Sequence, residues 1–139
     1  MFSIDGTWKS GRYDGGIIKI NLNSGIMETQ VSQLSMPHNI LKENKKMYFC
    51  DSYNGKLIEN KYNTKFQSNG FVRGFDSTDT IFVVCESKNR NFNRLKNGPI
   101  NQCIDTRINI VDKKTGAYKS IQLPNYISEI HSLKIIKII

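Results

Sequence analysis

The sequence has no long apolar run. Nothing approaches the roughly 20 residues of a membrane span, and a content of 38% hydrophobic and 23% charged residues is that of a soluble globular chain. The start, Met1-Phe2-Ser3-Ile4-Asp5-Gly6, has neither a basic opening nor an apolar core. No secretory signal is read there, and a cytoplasmic location is expected. Cysteine is scarce and odd in number, with Cys50, Cys85 and Cys103 making three. Cys50 and Cys85 stand inside apolar runs, which marks them as reduced core residues rather than a disulfide. No Cys-x-x-Cys or paired-His spacing occurs, so neither a metal nor a cofactor is expected. A nucleophile elbow, a P-loop and a dinucleotide fingerprint are all lacking, which weakens the case for an enzyme. No window carries a sustained helical period with capping signals.

What the sequence does have is a repeat. Met36-Pro37-His38-Asn39-Ile40-Leu41, a polar turn and Met47-Tyr48-Phe49-Cys50-Asp51-Ser52 align with Phe71-Val72-Arg73-Gly74-Phe75-Asp76, a polar turn and Ile81-Phe82-Val83-Val84-Cys85-Glu86-Ser87. His38 falls on Arg73, Cys50 on Cys85, Asp51 on Glu86 and Ser52 on Ser87, each pair 35 residues apart. Gly15 to Gly25 and Ile108 to Gly116 both read as a strand, a turn tipped by Ser-Gly or Thr-Gly, and a returning strand. Glu129-Ile130-His131-Ser132-Leu133 restarts the Pro37-His38-Asn39-Ile40 pattern. The chain therefore reads as one β-repeat domain over residues 1–139, with units near 1–34, 35–69 and 70–124 and a further unit beginning at 125–139.

Runs rich in Ile, Val, Phe and Tyr, separated by Asn, Asp, Gly and Lys clusters, make the fold class all-β. Units of this length, with a small-residue turn before the last strand, fit propeller blades better than leucine-rich or helical repeats. A parallel β-helix would give a tighter period. At roughly 35 to 45 residues per blade the chain supplies about three propeller-like blades, whereas closed propellers need about four to eight. Half of a six-bladed β-propeller is thus expected, closed by dimerisation as a homodimer or by a missing other half. The run Leu133 to Ile139, with five Ile or Leu in seven residues, reads either as a pairing edge for that partner or as a core strand that finishes the fold.

Acid is in deficit: 20 Lys and Arg against 12 Asp and Glu give a net charge of +8. The surplus concentrates between Ser87 and Pro99, where Lys88, Arg90, Arg94 and Lys96 form a basic loop without an acid. The third unit is longer there, since Arg73 to His131 spans 58 positions instead of 35. Such an insertion is a functional loop or a solvated one. Lys and Asn abound along the whole chain, which favours the solvated reading. Nucleic acid is therefore not the expected partner.

In a propeller the innermost strand of each blade lines the central channel, so equivalent positions form a ring at one mouth. His38, Arg73 and His131 take the same place in successive units. They would make a cationic, titratable cluster suited to holding an anionic group or moving a proton. Asp51, Ser52, Glu86 and Ser87, at the ends of the next strands, would lie close enough to orient those side chains. The competing reading is that each polar residue caps its own strand or bonds to the neighbouring blade.

The succession Tyr13-Asp14-Gly15-Gly16-Ile17, Met36-Pro37-His38-Asn39, Cys50-Asp51-Ser52-Tyr53-Asn54-Gly55, Phe71-Val72-Arg73-Gly74-Phe75, Cys85-Glu86-Ser87 and Ile110-Val111-Asp112-Lys113-Lys114-Thr115-Gly116 resembles a bacterial family of conserved hypothetical propeller proteins, classed as a domain of unknown function. The resemblance covers roughly residues 7 to 137 and implies a six-bladed propeller of which this chain is about half. It implies no activity. A weaker likeness is to the gluconolactonase-like propellers, which hold a divalent metal through Glu, Asn and Asp. His38, Arg73 and His131 at the axial positions depart from that set, because hard cations want oxygen ligands and are repelled by Arg.

Two functions remain in view. One is a non-catalytic propeller binding an anionic small molecule, a carbohydrate or a protein. The other is an enzyme, of hydrolase, lyase or isomerase type, with a His as general base and Arg73 clamping an anionic or sugar-like substrate.

Overall fold

The computed structural model describes residues 15–88 and 105–136. Among them there is no helix, and ten strands form three antiparallel sheets. The strands are β1 (Gly15–Ile20), β2 (Met27–Leu34), β3 (Pro37–Glu43), β4 (Lys46–Asp51), β5 (Lys56–Glu59), β6 (Asn63–Gln67), β7 (Phe71–Ser77), β8 (Ile81–Ser87), β9 (Arg107–Asp112) and β10 (Tyr118–Gln122). β1 and β2 make a two-stranded sheet, whereas β3 to β6 and β7 to β10 each make a four-stranded meander. No helix among the described residues is long and apolar enough to cross a membrane.

Local chemistry sets the turns. Asn44 and Lys45 both have positive φ (48° and 65°), as the tight hairpin joining β3 to β4 requires. The turns after β1 and after β9 are built alike. In the first, Asn21 Oδ1 accepts from the backbone N–H groups of Asn23 and Ser24, and the N–H of Gly25 returns to the Asn21 carbonyl. In the second, Asp112 Oδ1 accepts from Lys114 and Thr115, and Gly116 returns to the Asp112 carbonyl. Both glycines have positive φ, 70° and 74°. A short polar side chain folding back on its own turn explains why Asn or Asp opens it and Gly closes it.

The repeat extends to irregularities. Pairing of β3 with β4 slips between His38 and Ile40, and pairing of β7 with β8 slips between Val72 and Gly74. Each slip is a β-bulge near the start of its sheet's first strand, the two lying one position apart when Cys50 is set on Cys85. A bulge bends the strand and re-aims the side chains beside it.

The sheets stack face to face, β1–β2 on β3–β6 and β3–β6 on β7–β10. Period-2 alternation divides each sheet into two faces. Phe49 and Ile58, with Met47, meet Ile17, Val31 and Leu34 of β1–β2. On the other face of the same sheet, Tyr48, Cys50, Leu57 and Phe66 meet Val72, Phe75, Phe82, Val84 and Val111 of β7–β10. Aromatic edges mark this second seam, with Tyr48 on Phe82 at 5.1 Å and Phe66 on Tyr118 at 5.2 Å between ring centres. Asn39 Nδ2 donates to the Phe75 carbonyl at 2.9 Å, fixing β3 beside β7.

Cys50 and Cys85 are free and buried. Burial raises both thiol pKa values, that of Cys85 to about 11, so neither is a ready thiolate. Cys103 and the basic-loop residues Arg90, Arg94 and Lys96 lie outside the described residues.

Candidate functional site

Beyond β10 the chain returns to β7. The backbone N–H of Lys88 donates to the Ser128 carbonyl, and Ser87 Oγ accepts from the Ile130 N–H at 2.9 Å. Asp76 accepts from the Ile135 N–H at 2.9 Å. Gly74 permits the close approach: a Cβ there would lie 2.8 Å from Ser132 Cα and 3.1 Å from the His131 carbonyl. These contacts bring His131 from the far end of the described chain onto Arg73.

Arg73 is largely buried, its side chain 10% exposed. Its Nη1 lies 3.3 Å from Glu129 Oε2 and 3.0 Å from His131 Nδ1. A guanidinium has donors only, so the imidazole nitrogen facing it accepts. His131 Nε2 then carries the proton and donates to Glu129 Oε2 at 3.0 Å. Below the guanidinium lies the Phe71 ring, with Arg73 Cζ 4.9 Å from its centre. Arg73 Nε is buried and has no hydrogen-bond partner among the described residues. An unmatched donor inside a protein is costly and marks a place where an acceptor would be bound favourably.

His38 completes the group from β3. Its ring meets Phe71 edge-on at 5.5 Å. His38 Nδ1 lies 2.8 Å from the Met36 carbonyl and 2.9 Å from Ser52 Oγ. A carbonyl only accepts, so Nδ1 carries the proton and Nε2 is the lone-pair nitrogen of the neutral ring. Burial holds the His38 pKa below its ordinary value, helped by the charge of Arg73, while the Met36 bond acts the other way.

His38 and Arg73 thus meet on one phenyl ring, and His131 joins the group through Arg73. The expected cluster was wholly cationic, whereas Glu129 adds a carboxylate at its centre. Of the four residues expected beside it, Ser52 holds His38. Ser87 acts through the backbone, anchoring the segment that carries Glu129 and His131. Asp51 turns inward to the N–H of Ser35 and the amide of Asn54, both at 2.6 Å, and burial raises its pKa against those two bonds. Glu86 Oε2 accepts from Asn109 Nδ2 at 3.1 Å, within the β7–β10 sheet. Lys88 Nζ donates to the Asn125 carbonyl at 3.0 Å.

Two contributors escaped the sequence. Glu129 stands two residues before His131 and accepts from its ring; that spacing was the available signal. Phe71 precedes Arg73 by two in the same way and reads as core alone.

At the other end of β3, a cleft of about 270 Å³ is lined by Glu43, Asn44, Lys46, Tyr48, Asp79 and Lys113. Three of its four charged residues, Glu43, Lys46 and Lys113, are already matched: Lys113 Nζ and Ser77 Oγ both donate to Glu43 Oε2, at 3.1 and 2.8 Å. Lys46 and the Tyr48 hydroxyl both donate to Glu59 at 3.1 Å. Burial and that carboxylate push the Tyr48 pKa to about 12. Among the described residues, no group of three or more His, Cys, Asp or Glu side chains is placed to hold a metal ion.

The model of a domain of unknown function, DUF4915, matches residues 3–139. The chain belongs to the DUF4915 family. Its match spans both described segments, so all three sheets and the group around Arg73 lie within this DUF4915 domain. No curated protein and no solved structure matches the chain.

Proposed function

We propose that the chain is part of a β-propeller that binds an anionic small molecule or a carbohydrate, without converting it, at the group formed by His38, Arg73 and His131. Consecutive four-stranded meanders, stacked face to face and bulged within one position of each other in their first strands, support the propeller reading. The observation that carries the ligand reading is the buried Arg73 guanidinium, whose Nε has no acceptor among the described residues while His131 is 70% exposed beside it. Glu129 offsets the Arg73 charge. Anion binding should therefore strengthen as pH falls and the His38 imidazole gains a proton.

The test is a titration of the protein with inorganic phosphate, glucuronate and glucose, followed by the imidazole and backbone NMR signals. Saturable shifts centred on His38 and His131 that vanish in His131→Ala are expected. Equal binding by the wild type and by His131→Ala and Arg73→Gln variants would remove the proposal.

The second reading, an enzyme with His38 as general base, is favoured by one detail. The Met36 carbonyl and Ser52 fix the tautomer that leaves Nε2 unprotonated, the form a base needs. His38→Asn keeps a donor for the Met36 carbonyl but has no Nε2. Any turnover of a sugar lactone or phosphate ester by the wild type should then be absent from the variant, whereas simple binding should persist.

A further inference from the structure

Two sheet faces at opposite ends of the stack have no partner among the described residues, and the repeat shows that they are complementary. At the seam between the four-stranded sheets, the cross-strand pair Leu57 and Phe66 receives the cross-strand pair Val111 and Tyr118. The pair equivalent to Leu57 and Phe66 in the next sheet is Ile108 and Ile121, since Cys50 pairs with Leu57 as Cys85 pairs with Ile108. The pair equivalent to Val111 and Tyr118 is Ile20 and Met27, because the turns that follow β1 and β9 are built alike. Both of these pairs lie on outward faces of the stack.

Exposure follows the same logic. Val111 is 1% exposed and its equivalent Ile20 is 49% exposed. Phe66 is 5% exposed and its equivalent Ile121 is 44% exposed. Met27 is exposed beside Ile20. On the same face as Ile121, Ile108, Val83 and Ile110 are half-buried. An apolar strand surface left open in this way is an association site. The inner part of that face is already served: the segment 128–135 lies along β7, as β7 lies along β3.

We infer that the outer face of the β7–β10 sheet docks a second copy of this chain, whose β1–β2 sheet seats Ile20 and Met27 on Ile108 and Ile121. The contact is made twice, each copy offering both faces, so that two copies close on each other. Three sheets from each copy give a ring of six, within the four to eight blades that closed propellers use. The inference rests on the propeller reading of the fold, and it is independent of the ligand.

The experiment is disulfide trapping. In a Cys103→Ser background, Met27→Cys and Ile121→Cys are combined, replacing the pair equivalent to Tyr118 and Phe66. Oxidation should give a covalent dimer on non-reducing gels. Each single-cysteine variant, whose thiol would face an isoleucine or a methionine, should give none. The unsubstituted protein should show twice 16.0 kDa by light scattering, and Ile20→Lys, a change at an exposed site, should return it to 16.0 kDa with its circular dichroism unchanged. A wild-type monomer at every concentration would overturn the inference, as would absence of the cross-link in a double variant that folds. A ladder of higher oligomers would overturn closure by two. Loss of the dimer with the phosphate and glucuronate shifts retained would separate this inference from the ligand proposal.

Discussion

Arg73 and His131 are 58 residues apart in sequence, yet Nη1 and Nδ1 lie 3.0 Å from each other, and Glu129 bonds to both side chains. The three form a closed triangle in which one carboxylate holds a guanidinium and an imidazole in fixed orientation. Arg73→Gln breaks two of its sides. A charged hydrogen bond in a partly buried setting contributes roughly 1.5–3 kcal/mol, so denaturant unfolding should show a loss of about that size. His131→Ala, at an exposed position, should cost well under half as much. A larger loss from His131→Ala than from Arg73→Gln would contradict this ranking.

The pH response of stability should carry the signature of His38. Its pKa is lowered in the folded state, so the unfolded chain binds the proton more readily. By linkage, the contribution of neutral His38 is fully present above the unfolded value of about 6.5 and is lost as pH falls through the folded pKa. Unfolding midpoints between pH 7.5 and 5 should decline, and His38→Asn should flatten that decline. An unchanged slope in the variant would assign the response to other groups.

Gly74→Ala tests the approach of the returning segment. The added methyl would meet backbone, Ser132 Cα at 2.8 Å, and backbone cannot swing aside as a side chain can. A cost of about 1–3 kcal/mol is expected from overpacking. Release of the segment from β7 should accompany it, seen as faster amide exchange at Ile130 and Ile135. Exchange rates equal to those of the wild type would refute the latch.

Phe82→Ala tests the seam between the four-stranded sheets. Phe82 is buried, meets Tyr48 edge-on and lies under Lys113 Nζ at 4.6 Å. Its truncation should cost about 3–5 kcal/mol by calorimetry or denaturant titration. A cost below about 1 kcal/mol would mean that the seam does not hold the sheets together.

The all-β fold was legible in the chain because alternation and turn residues are local signals. Asn21 with Gly25 and Asp112 with Gly116 announce the same turn without any tertiary information. The alignment of His38 with Arg73 was legible for the same reason. What the repeat could not convey is side-chain direction where a bulge intervenes. Asp51 and Glu86 align with each other, yet one closes a turn against Ser35 and Asn54 while the other bonds across its sheet to Asn109. Glu129 lay hidden because the repeat sets it on apolar residues, Met36 and Phe71, and its role depends on the latch at Gly74. Charge was misleading in a related way, since a count of cations near the site omits the carboxylate that the returning segment brings.

The order of the strands sets a timetable for the chain as it folds. Apart from the connection between β8 and β9, every strand pairing joins neighbours across a short loop, and short loops close quickly and at small entropic cost. The contact of Arg73 with Glu129 joins residues 56 apart and needs a finished β7–β10 sheet to run along. It comes last. A chain caught midway through refolding should therefore show its full strand content before the His131 signal reaches its native position, with every sheet built and the candidate site still unassembled.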